Sequence, residues 1–187
     1  MEQRRKVLIK MLKDPSEDVR QSAAEALERL EGLQNLDSLV HKYKTGDKPT
    51  RLKVLYAMGK LGSDDCLPIL IHALSSEEED IRAAAVRVLG DLADERTLQP
   101  LLNLLQDPSP TIQSEAVEAL GNFRHPDLPR HLLPLLDHDN KYLVKAALHS
   151  LGRLNAVEAM DKIMALAEHR EDDIRRTAAE VMGRIEG

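Results

Sequence analysis

Seven histidines, one cysteine and a run of four acidic residues are the groups in this 187-residue chain with the most chemistry to offer. His41 and His72 stand one 31-residue period apart, as do His138 and His169. Stacked units of that length would set each pair side by side. Two imidazoles sharing one zinc must both approach to about 2.0–2.1 Å, and adjacent repeats hold them too far apart without help from backbone. Asp137-His138-Asp139 has the composition of a turn, so the histidines read as surface residues. Cys66 follows Asp64 and Asp65, whose negative charge raises a thiol's pKa and disfavours a thiolate nucleophile. A single cysteine also forms no internal disulfide, which suits a reducing compartment. The acidic run Glu77-Glu78-Glu79-Asp80 precedes a helical pattern, where carboxylates complement the positive end of the helix dipole. No catalytic residue, metal ligand set or cofactor follows from these groups, and the expectation is a non-catalytic protein.

The elements that must carry these residues are set by a strict period. After Met1 the sequence divides into six blocks of 31: residues 2–32, 33–63, 64–94, 95–125, 126–156 and 157–187. One landmark recurs at the same place in each, as Val19, Thr50, Ile81, Ile112, Leu143 and Ile174. A repeat this short cannot bury its apolar face alone, so neighbours must stack. The predicted fold is all-α: one domain spanning 1–187, an α-solenoid of six antiparallel helix hairpins in a right-handed superhelix.

Each block holds two amphipathic stretches. Leu98, Leu101, Leu102 and Leu105 recur at spacings of three and four, and Asp107-Pro108-Ser109-Pro110 then stops one helix and starts another. Pro68 falls in an opening turn, whereas Pro100 and Pro134 are expected to kink their helices. Counting from the landmark at about 100° per residue, positions 0, +4, +7, +8 and +11 form the buried face of each second helix. Positions +2, +3, +6 and +10 face away. Position +9 is Gly59, Gly90, Gly121, Gly152 and Gly183 in five blocks. Glycine within a helix costs about 1 kcal/mol against alanine, so a close helix approach is expected there.

Composition narrows the function. The net charge of −6 opposes a general nucleic-acid binder, which needs a positive field. Charge is uneven, with +4 on the second block and −6 on the third. No apolar run nears the roughly 20 residues of a membrane span. The basic, then apolar N-terminus lacks a small-residue cleavage site, so a cytoplasmic location is expected.

Asp18-Val19-Arg20, Asp80-Ile81-Arg82 and Asp173-Ile174-Arg175, with the endings Val88-Leu89-Gly90 and Ala119-Leu120-Gly121, resemble HEAT repeats. The likeness is to the short type also found in the phycobilisome-lyase family, and it covers the whole chain. It implies an Asp–Arg ladder between adjacent repeats, interrupted here by Gln113 and Val144. The second block departs from the pattern with Pro49-Thr50-Arg51 and a longer polar loop from Thr45 to Lys48. The resemblance also implies first helices on a convex side and second helices lining a concave groove. HEAT-like deoxyhypusine hydroxylases hold di-iron through His-Glu pairs, and this sequence contains no His-Glu dipeptide. HEAT-like alkylpurine glycosylases grip DNA with basic and aromatic groove residues, which the net charge and the absence of tryptophan disfavour.

If second helices line the groove, position +6 is its centre: Glu25, Tyr56, Arg87, Glu118, His149 and Glu180. A solvated helix face varies freely, but Tyr and Arg are the types that dominate interfaces. The expected partner site centres on Lys53, Tyr56, Lys60 and Arg87, facing an acidic segment or anionic group. Glu115 and Glu118 would meet a basic portion, and His149, Arg153 and Glu180 extend the row. Arg4, Arg5, Lys6, Lys10 and Lys13 suggest a polar N-terminal cap. The stripe Ala178, Val181, Met182 and Ile185 suggests a C-terminal repeat that pairs with a further copy or belongs to a longer array. The leading expectation is a scaffold or adaptor binding a protein or peptide in the groove, with no nucleic acid, membrane or cofactor. Two alternatives are an auxiliary subunit of a phycobilin lyase or related tetrapyrrole-handling enzyme, and a designed or consensus-derived repeat scaffold.

Overall fold

The computed structural model describes residues 2–186, apart from the side chains of Leu33 and Gln34. Every regular element among the described residues is helical. The chain forms two compact units, residues 1–70 and 71–187, and each is described by itself.

In the first unit, α1 (Glu2–Met11) packs on α2 (Glu17–Gln34), and α3 (Leu36–Thr45) on α4 (Lys48–Leu61). Asp47 caps α4 by accepting the Thr50 N–H at 3.0 Å, and Pro49 sits in the first turn, where its missing donor costs nothing. The loop before α4 is only Gly46-Asp47, shorter than the sequence implied, because α3 continues through Thr45. Gly62 ends α4 in the left-handed region (φ 54°), a conformation that glycine adopts without strain. The N-terminal helix is only partly the polar cap expected. Its basic residues are exposed, but so are Val7, Ile9 and Met11, and α1 contributes no buried residue.

Helix α5 (Leu67–Ala73) carries the chain from one unit into the other, with Pro68 in its first turn as expected. In the second unit the second helices are regular: α6 (Glu79–Leu92), α8 (Pro110–Leu120), α10 (Lys141–Arg153) and α12 (Asp172–Met182). Each lies against the next, α6 on α8, α8 on α10 and α10 on α12. The first helices are shorter: α7 (Leu98–Asn103), α9 (Leu128–Leu132) and α11 (Met160–Ala165) are each joined to 3-10 segments. This corrects the expected kinks. Pro100 lies in the first turn of α7, and Pro134 lies where α9 tightens into the 3-10 segment Leu133–Asp137. A proline that removes an α-helical donor is accommodated where the helix changes type.

The landmark face is the core. Ile81, Ile112, Leu143 and Ile174 are buried, with Ala85, Ala116, Ala147 and Ala178 behind them. Position +9 explains its glycines. A Cβ on Gly90 would meet the Cβ of Ala119 at 2.6 Å, one on Gly121 the Oγ of Ser150 at 2.6 Å, and one on Gly152 the Cγ1 of Val181 at 3.0 Å. Each glycine thus receives position +7 of the following repeat.

Position +3 departs from the sequence reading. Ala84, Ala146 and Thr177 are buried, because neighbouring second helices cover each other's flanks as well as the core face. In the C-terminal stripe, Ala178, Val181 and Ile185 are buried within the unit, and Met182 is partly open.

The loops are tied by a recurring lock. Arg20 donates to the carbonyls of Asp14 and Pro15, Arg82 to those of Ser76 and Glu77, and Arg175 to those of His169 and Arg170. Gln113 does the same to Asp107. The conserved-register arginine therefore holds its own repeat's loop. The carboxylate opposite Arg82 is Asp107, in the next repeat's loop, and not an aspartate beside a landmark as the ladder expectation had it.

Candidate functional site

The loop position that holds Asp107 recurs in other repeats, two of which place a histidine there. There the side chain accepts the N–H two residues on: Asp14 from Ser16, Ser76 from Glu78, Asp107 from Ser109. His138 and His169 take the same place, their Nδ1 atoms accepting from Asn140 at 2.9 Å and Glu171 at 3.0 Å. An Nδ1 lone pair used this way is not available to a metal. Among the described residues no group of three or more His, Cys, Asp or Glu side chains converges on a metal-sized site. Cys66 is buried, and burial first, then Asp65, pushes its thiol pKa up. The acidic run starts α6, with Glu79 and Asp80 in its first turn and Glu79 accepting from the Ser109 hydroxyl at 2.9 Å.

The proposed partner residues fall into two sets. In the first unit, Lys53, Tyr56 and Lys60 share one exposed face of α4, with Tyr56 44% exposed. Lys60 lies 3.9 Å from Glu28, an exposed and weak pair.

In the second unit, Arg87 on α6 is bonded to Glu115 Oε1 on α8. The sequence reading had given these two residues to opposite partner charges, and here they serve each other. Glu115 occupies position +3, the flank now known to be covered, and its side chain is only 18% exposed. Its second oxygen, Oε2, is buried and faces no donor among the described residues. Arg153 is also committed. Its guanidinium donates to the Glu118 carbonyl at 2.7 Å, the Asn122 side chain at 3.1 Å and Ser150 Oγ at 3.1 Å, clamping α10 to α8.

Glu118, His149 and Glu180 remain as a row on α8, α10 and α12. Burial lowers the His149 pKa below its ordinary 6.5, and the nearby Arg153 and Arg184 act in the same direction. Glu180 and Glu118 oppose them. The folded state therefore binds this proton less readily than the unfolded chain. The resulting stability is complete above about pH 6.5 and declines as pH falls through the lowered value. In urea titrations the unfolding midpoint is expected to drop between pH 7 and pH 5, and His149→Gln to shrink that drop. An unchanged slope in the variant would remove His149 from this role.

Two surface cavities open in the second unit. One, about 600 Å³, lies beside the loop after α8 and the end of α10, lined by Phe123, Arg124, His125, Pro129, Arg153 and Asn155 among others. The other, about 550 Å³, lies between the N-terminal halves of α8 and α10, and its lining includes Thr111, Glu115, Glu118, Tyr142, Lys145 and His149. Tyr142 is a residue the sequence reading passed over. At position −1 it falls outside the groove count, yet it is 66% exposed, more than Tyr56. Its place in the first turn of α10 was the available signal.

Helical hairpins of fixed length, each second helix laid flank to flank on the next, define an α-solenoid repeat protein. The model for HEAT repeats matches residues 5–81, 36–111, 67–152 and 129–187, and the chain belongs to that family. No curated protein matches the chain by sequence.

Among solved structures, the complex of CpcE and CpcF of phycocyanin lyase from Nostoc sp. PCC7120 is similar with a TM-score of 0.66 and 19% identity. That match covers 80% of this chain and 99% of the other. A designed armadillo repeat protein in complex with the peptide (KR)4 matches with a TM-score of 0.57 and 17% identity over 96% of this chain and 98% of that one. An archaeal HEAT-like repeats protein from Thermococcus onnurineus NA1 matches with a TM-score of 0.51 and 19% identity, covering 86% and 80%. At these identities the likeness is one of fold. No described helix is long and apolar enough to cross a membrane.

Proposed function

We propose that this protein is a non-catalytic scaffold that binds an extended segment of a protein partner along the exposed edges of its second helices. The observation that carries the reading is the row Glu118, His149 and Glu180 with Tyr142 beside it. Its side chain changes from each repeat to the next, an exposed aromatic ring stands beside it, and among the described residues the carboxylates of Glu118 and Glu180 make no ion pair or hydrogen bond. Solenoid surfaces gain specificity from such row-by-row variation, since each repeat contacts a successive stretch of the ligand. The peptide and partner-subunit complexes among its structural neighbours agree with this use of the fold. Lys53, Tyr56 and Lys60 form the corresponding face of the first unit in this proposal. All six repeats then act as one domain.

The test is site-specific photo-cross-linking in extract of the source cells. A photoreactive residue at Tyr56 or Glu180 should trap a discrete partner, whereas one at Asn103, on a first helix, should not. Equal trapping from all three positions, or from Asn103 alone, would refute the second-helix face.

A second reading follows from the CpcE–CpcF likeness: an auxiliary subunit of a phycobilin lyase. It requires a visible absorbance shift when the protein meets a bilin, and an unchanged spectrum would dismiss it.

A further inference from the structure

We infer that the cavity between α8 and α10 seats the cationic head of a lysine or arginine carried by the partner segment. This rests on the second-helix face being the binding surface, and it adds the chemistry of one subsite. The lining charges decide the sign. Lys145 is the cavity's basic side chain, and Asp173 of the next helix stands 3.8 Å from it. Glu115 is spent on Arg87 and its other oxygen is buried out of reach, while Glu118 makes no ion pair among the described residues. What remains without an ion pair is the Glu118 carboxylate.

The walls suit a long cationic side chain as well. Pro110 and Ala146 offer apolar surface to its methylenes, and the Tyr142 ring stands out beside them, with its own neighbour Lys141 5.6 Å from the ring centre. The face of an exposed tyrosine ring attracts a cation. Lysine and arginine commonly bury their stems while the head finds a carboxylate. Because burial lowers the His149 pKa, that imidazole adds little positive charge to the cavity near neutral pH. At about 550 Å³ the cavity exceeds one side chain, leaving room for part of the partner's backbone.

The probe is a fluorescein-labelled octapeptide of alternating lysine and arginine, titrated against the full chain by anisotropy. An alternating aspartate-glutamate octapeptide and a glycine-serine octapeptide serve as controls. The basic peptide should bind, and more weakly as salt rises. Glu118→Lys should weaken it about tenfold or more and Tyr142→Ala about tenfold. Tyr142→Phe should retain most of the affinity, and Asn103→Lys on the first helix α7 should not reduce it. Far-UV circular dichroism confirms that each variant folds.

Equal affinity in wild type and Glu118→Lys, or preference for the acidic peptide, would overturn the subsite. If cross-links from Tyr56 or Glu180 persist in that case, only the cavity assignment fails. If they are absent as well, the scaffold reading fails with it.

Discussion

Replacing Asp107 by alanine should destabilise the protein by about 3 kcal/mol, at the lower end of what orphaning one partner of a buried ion pair costs. Asp107 is 4% and Arg82 12% exposed, and two hydrogen bonds of 3.0 and 3.1 Å join them across adjacent repeats. The carboxylate also accepts the Ser109 N–H at 2.8 Å at the start of α8. Removing it leaves a nearly buried guanidinium whose remaining partners are the Ser76 and Glu77 carbonyls, which is why the loss stays near the lower bound. Arg82→Met should cost less, because Asp107 then keeps its backbone donor. The double variant should lose less than the two single losses combined, since each single change strands the other charge. Urea denaturation of the four proteins gives that coupling. Strict additivity would mean that the pair does not hold the repeats together.

The same pair shows what a sequence can and cannot disclose. The period, the apolar landmarks and the alanines at +4 were readable because each depends on one helix and its core face. Asp107 was readable only as a helix stop, because its partner lies 25 residues earlier and the pairing needs a rule linking two repeats. That rule is an arginine at +1 with an aspartate at −5 of the next repeat, and at these register positions the sequence satisfies it once, with Arg82 and Asp107. The Arg87–Glu115 bond was hidden for a related reason. A wheel drawn for one helix places +3 and +6 in solvent, whereas a second helix alongside covers +3 and brings it to its neighbour's +6. The candidate row at +6 was thus legible as a row, but not which of its charges are already spent. Tyr142 escaped because its importance comes from a cavity between two helices, and helical periodicity carries no record of cavities.

Alanine at Gly90 should cost about 2 kcal/mol, whereas alanine at Gly183, the same register position two hairpins beyond Gly121, should stabilise by roughly 0.4–1 kcal/mol. Alanine is intrinsically the better helix residue by about 1 kcal/mol, so the sign depends on what the new methyl meets. At Gly90 it would lie 2.6 Å from the Ala119 Cβ and 2.9 Å from the Ala119 Cα, which is backbone and cannot rotate away. Helix α8 would have to retreat from α6, loosening the flank contacts that also hold Glu115 against Arg87. At Gly152 the nearest atom is a valine methyl at 3.0 Å, so the two effects should nearly cancel. At Gly183 the nearest atoms are backbone oxygens of its own helix at 3.7 and 3.8 Å, and φ is −75°, which alanine adopts freely. Adding Ala119→Gly to Gly90→Ala should recover part of the loss by removing the closer of the two clashing atoms. Thermal and urea unfolding of the three single variants and the double variant should rank them in this order. If Gly90→Ala raised stability as much as Gly183→Ala, the close approach of second helices would not be what keeps glycine at this position.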